Sequence, residues 1–203
     1  MYIGYFQYSL VLILIAFLGV DKAGLDRNYK IVTGTTLLLL GFYNFSNNSI
    51  LEYLLGIFGQ LSISTTLLLI ALVISNFSSF SLVNSRDKKS LLFLVVAIGV
   101  VFYPMTLGLT LTDPYRFGFQ PNLLASVFLT AAILIWFLGY RFLAVCILAA
   151  SISHEIGLLE SDNYWDNLFD IYLFIYGMIY FVVAIFRKKI ILHPFRKIDQ
   201  NGK

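Results

Sequence analysis

The chain has 203 residues, with Lys+Arg 14 against Asp+Glu 11, 59% hydrophobic residues and only 12% charged ones. A soluble domain carries roughly 25% charged residues, and a globule of this size could not hide so much apolar surface from water. A single cysteine, Cys146, excludes an internal disulfide framework and any multi-cysteine metal site.

Lipid is therefore the expected solvent. The expected fold is an all-α integral membrane bundle of about seven transmembrane helices over residues 1–189, followed by a short basic cytoplasmic tail over 190–203. Roughly 20 apolar residues cross a bilayer core, so runs of about that length mark the spans. The first, 2–20, has no basic residue before its apolar run and no small-x-small cleavage site after it. It reads as a retained helix rather than a signal peptide. The second and third, 30–45 and 50–74, carry Thr33, Thr35, Thr36, Gln60, Ser62, Ser64, Thr65 and Thr66 beside Gly56 and Gly59. Such residues let helices pack closely and hydrogen-bond across an interface; Gln60 is the one to test for a ligand or a translocation path.

The fourth span, 90–111, contains Tyr103–Pro104, which predicts a kink of the sort that flanks cavities. In the loop TDPYRFGFQP, Asp113–Pro114 signals a turn and Pro121 suits the first turn of a fifth span over 122–138. Arg116 of that loop, with Asp113 beside it, is a candidate for a structural ion pair or for binding a ligand's phosphate or carboxylate. Gly139, Tyr140 and Arg141 separate the fifth span from a sixth over 142–159, the rival being one long helix. Cys146, in FLAVCILAA, reads as a buried thiol. The seventh span covers 165–186.

Counting Lys and Arg in alternate segments sets the orientation. Thirteen basic residues fall in one set and one, Arg116, in the other, which places the N-terminus outside and the C-terminus in the cytoplasm. The expected location is a plasma membrane, of the bacterial inner-membrane kind, crossed several times.

The stretch SHEIGLLESDNYWDNLFD, 153–170, then faces the extracytoplasmic side. His154 and Glu155 lie near the outer end of the sixth span, where an ionisable group is a functional suspect and where His can act as acid, base or ligand. Asp162, Asp166 and Asp170 are spaced i, i+4, i+8, near one face of a helix if that helix is continuous. Together they could hold a divalent cation or an amine. Asp162 and Asp166 also suit a helix start, whereas Asp170 falls about a turn inside the bilayer. His154, Glu155 and Asp170 are thus the catalytic candidates.

The chain has no G-x-S-x-G, H-E-x-x-H, Walker A or G-x-G-x-x-G signature and no nucleic-acid-binding motif. No cofactor is expected beyond that one cation. The partners expected are the bilayer, other membrane proteins or a lipid-linked substrate. Three readings stand: an accessory, assembly or ligand-binding component with an acidic outer cluster; an enzyme acting on a lipid headgroup at the outer leaflet; and a small proton- or cation-coupled transporter. Convergence of Arg116, His154, Glu155 and Asp170 would favour the second.

Overall fold

The computed structural model describes residues 2–45, 47–78 and 80–192, with 121, 122 and 187–192 described by backbone alone. Of the expected tail 190–203, residues 193–203 lie outside the described residues. The described chain is all-helical apart from one small hairpin. The helices are α1 (Tyr2–Lys22), α2 (Arg27–Gly41), α3 (Ile50–Phe58), α4 (Ile63–Phe77), α5 (Ser85–Pro104), α6 (Pro121–Phe137), α7 (Arg141–Glu155), α8 (Tyr164–Leu168) and α9 (Ile171–Leu192). Between α2 and α3, strands β1 (Asn44–Phe45) and β2 (Asn48–Ser49) pair antiparallel, Asn44 opposite Ser49. A π-helical turn, Met105–Leu109, follows Pro104, and a 3₁₀ helix, Pro114–Phe119, follows Asp113.

Local chemistry sets these boundaries. Ser49 and Glu52 form a reciprocal capping box at α3, and Asn84 caps α5 by accepting from Asp87 N–H. Gly139, at φ 85°, turns the chain between α6 and α7, so the fifth and sixth predicted helices are separate. The expected kink after Tyr103 takes the form of the π turn, within which Gly108 stands at φ 83°.

Helix α1 packs on α2 and α4, α5 on α9 and α7, and α6 on α7. The α5–α9 contact is close because Gly99 receives the ring of Phe174 and Gly177 receives Val96. Many large apolar side chains remain outside, among them Leu39 (72% exposed), Leu107 (80%) and Phe137 (82%). Two helical stretches, Tyr2–Lys22 and Ser85–Leu109, are long and apolar enough to cross a membrane; Ile63–Phe77, Leu123–Phe137 and Ile171–Phe186 are apolar but shorter.

Two expected spans are not continuous. The third, 50–74, breaks over residues 59–62 into α3 and α4, with Gly59 at φ 71° and Ser62 opening a new helix by accepting from Thr65 N–H. The seventh, 165–186, breaks at Phe169–Asp170 into α8 and α9. That break removes the single helical face on which Asp162, Asp166 and Asp170 were expected to align. Asp162 precedes α8, Asp166 lies within it, and Asp170 stands immediately before α9.

Candidate functional site

Both breaks are held by buried polar groups, and they meet at one carboxylate. A helix interruption frees backbone N–H and C=O groups that must find other partners when water is excluded. Gln7 of α1, 0% exposed, answers this for the first break. Its Nε2 donates to the Leu61 carbonyl (2.7 Å) and to Thr66 Oγ1 (2.9 Å), while its Oε1 accepts from Leu61 N–H (3.0 Å). Asp170 joins the two breaks. Its Oδ2 accepts from Ser62 N–H (2.7 Å) at the start of α4, and its Oδ1 accepts from Leu173 N–H (2.8 Å) in the first turn of α9. One carboxylate thus faces the positive ends of two helices, the placement that best stabilises its charge.

The segment between α7 and α9 is packed rather than loose. Asn163 and Tyr164 are 0% exposed and Asn167 is 1%. Tyr164 Oη shares a hydrogen bond of 2.6 Å with Ser151 Oγ, Ser153 Oγ donates to Asn167 Oδ1 (2.7 Å), and Asn163 Nδ2 donates to the Tyr115 carbonyl (3.0 Å). Trp165 Nε1 donates to the Pro114 carbonyl (3.1 Å). Gly118 makes this contact possible, because a Cβ there would overlap the side-chain amide of Asn163.

Over this packed segment lie two adjoining polar cavities of about 400 and 240 Å³, which share Gln60, Asp166 and Asp170. The larger is walled by aromatic rings, including Phe102, Tyr103, Tyr115, Trp165 and Phe169. Their centroids lie 5.0 Å apart for Phe102–Trp165 and 5.4 Å for Phe102–Phe169, so the wall is itself close-packed. Asp166 Oδ2 accepts from Tyr115 Oη (2.8 Å) and from Ser161 Oγ (2.5 Å). Burial first, and then the bond to Asp166, push the Tyr115 phenol up to about 12. Gln60 Oε1 accepts from Glu160 N–H (2.8 Å), while its Nε2 is buried with no acceptor among the described residues. Among the described residues the lining includes Asp166, Asp170 and, in the smaller cavity, Glu160, and it includes no Lys, Arg or His. Carboxylates gathered against aromatic faces make a setting for a cation, and the Gln60 amide supplies a donor for an acceptor beside it.

The candidates from sequence therefore divide. Gln60, Asp166 and Asp170 come together. Arg116 is exposed on the 3₁₀ helix, makes no ion pair among the described residues and lines neither cavity. Asp113 is exposed and caps the same 3₁₀ helix through Tyr115 N–H (2.9 Å). His154 lies edge-on to the Tyr164 ring, 5.5 Å between centroids, with its Nδ1 buried and without a partner among the described residues; Glu155 is exposed at the end of α7. Neither of these two lines the cavities. Among the described residues no three of His, Cys, Asp and Glu gather as a metal set, and Asp162 is exposed. Gln7, Asn163 and Asn167 were not singled out from sequence. The signal for Gln7 was available, since an amide alone in an apolar helix must find buried partners.

No family model, curated protein or solved structure matches this chain.

Proposed function

We propose that this chain is a multi-pass membrane protein that binds an ammonium-bearing ligand in an outward-facing cavity between two broken helices. The observation that carries the reading is the pairing of Asp166 and Asp170 in one aromatic-walled space with no basic side chain among its described lining residues. The exposed apolar side chains on most helices support a lipid environment, because a water-soluble surface rarely carries so many. The 13 to 1 division of basic residues supports an extracytoplasmic address for the cavity, in a membrane of the bacterial inner type. In this reading the protein is a ligand-binding or accessory component. Catalysis draws less support, because His154 lies outside the cavity and each oxygen of Asp170 already caps a helix.

A carrier is the second reading, favoured by one observation: two interrupted helices meet at an ion-binding type of group, as transport sites often do. A space that Phe169 shares with Ser64, Leu91, Val95, Ile98 and Ile147 is only about 10 Å³ in the conformation described, which does not favour a carrier. That is room for about one water and no chain of them.

Isothermal titration of the detergent-purified protein with choline and with its neutral carbon isostere, 3,3-dimethylbutanol, tests the binding reading. Choline binds and the isostere does not, and Asp166→Asn weakens choline by roughly 10- to 100-fold, the worth of one charge-assisted contact. Equal binding of the two compounds would overturn it.

A further inference from the structure

A larger space lies on the other side of a thin aromatic wall. It is an open crevice of about 490 Å³ between α1, α4 and α9, faced by carbon from Val11, Leu12, Ile15, Leu68, Leu69 and Leu72. Two hydroxyls in its lining are engaged: Tyr8 Oη donates to the Gly59 carbonyl (2.6 Å), and Thr65 Oγ1 accepts from Ser62 Oγ (3.0 Å). Phe58 and Tyr172 line both this crevice and the carboxylate cavity. Their rings meet edge to face at 6.1 Å, and Tyr172 Oη donates to the Phe58 carbonyl (2.9 Å). Phe58 is 46% exposed and Tyr172 37%, so both rings can turn without opening the core.

We infer that the two spaces form one site for a phospholipid with an ammonium headgroup, its acyl chain in the crevice and its headgroup among Asp166, Asp170 and Gln60. This rests on the ammonium reading above and names the ligand class. A hydrocarbon chain fits an open groove faced almost wholly by carbon, of the kind that lipid tails would fill in a membrane protein. The polar end supplies opposite charge for the ammonium at Asp166 and Asp170. The unpartnered Gln60 Nε2, with the Tyr103 hydroxyl that makes no hydrogen bond among the described residues, supplies donors for the phosphate beside it. A headgroup carrying phosphate but no ammonium would meet the carboxylates uncompensated. Selectivity then comes from headgroup charge. The chain adds position more than affinity, since bilayer and crevice are equally apolar.

The test uses the full chain in phosphatidylglycerol vesicles doped with a lipid whose acyl chain carries a diazirine. The dopant is either phosphatidylethanolamine or phosphatidylglycerol, and crosslinks are mapped by mass spectrometry. The ethanolamine lipid labels the crevice segments of α1 (residues 8–15), α4 (65–72) and α9 (172–176) roughly tenfold above the glycerol lipid, the ratio one charge-assisted contact supplies. Filling the crevice with Leu69→Trp or Val11→Phe abolishes that enrichment while choline still binds. Equal crevice labelling by the two lipids, with choline binding intact, would overturn the lipid assignment and leave the ammonium site standing. Loss of choline binding to the unaltered protein would remove both.

Discussion

Replacing Gln7 by leucine asks whether the break in α3–α4 is a built feature. The side chain is fully buried and keeps its volume in the exchange, so packing changes little. What is lost is the pairing of Leu61 N–H and C=O and of Thr66 Oγ1. The Thr66 hydroxyl keeps its bond to the Ser62 carbonyl (2.8 Å), so the two backbone groups of Leu61 carry the cost. Each buried unsatisfied group costs about 1–3 kcal/mol, offset in part by removing the amide itself, for a net loss of about 2–4 kcal/mol. In a chain of this length that corresponds to a fall in Tm of roughly 5–15 °C. Thermal unfolding in a mild detergent measures it. Ser9→Ala serves as the control, since among the described residues Ser9 Oγ bonds only to the Tyr5 carbonyl of its own helix, and it stays within about 0.5 kcal/mol of the parent. A Gln7→Leu variant as stable as the parent would show that Leu61 is satisfied some other way, and the account of the break would fail.

Three further outcomes follow from the same contacts. Asp170→Asn keeps one acceptor oxygen but loses the charge facing two helix starts, for a loss of about 2–4 kcal/mol by thermal unfolding, and Asp170→Ala loses more. Gly118→Ala drives a methyl group into the buried Asn163 amide and costs about 1–3 kcal/mol, whereas alanine at Gly56, where nothing lies close, is neutral or better. The raised Tyr115 phenol means the fold favours its neutral form. That contribution is whole below pH 10 and is lost as pH rises from 10 through about 12, so Tm falls over that window and falls less steeply in Tyr115→Phe.

Much of the helix framework was legible in the sequence. The run 122–138 matches Pro121–Phe137 to within a residue, and Gly139 marks the turn that separates α6 from α7. The breaks were not, because hydropathy averaged over a window passes smoothly through GQLS and through LFDI. Short-range chemistry holds the missing signal: Gly59 with Ser62, and Asn163 and Asp170 as residues that favour helix starts, each just before one. Spacing Asp162, Asp166 and Asp170 as one face assumed a helix that Asp170 itself begins. Bringing Arg116 together with Glu155 and Asp170 rested on charge sign alone, while the loop's geometry is set by Asp113, Gly118 and Asn163. What brings Gln60 to Asp170 is a contact across about a hundred residues, made by Asp170 on Ser62 and by Gln60 on Glu160.

The chain has two tryptophans, and only Trp165 lines the carboxylate cavity. With Trp136→Phe leaving Trp165 as sole reporter, choline titration should give a saturable change in its emission that 3,3-dimethylbutanol does not produce and that Asp166→Asn shifts to higher concentration. An emission unmoved by choline, or moved equally by the neutral compound, would contradict a cation site between Asp166, Asp170 and the aromatic wall.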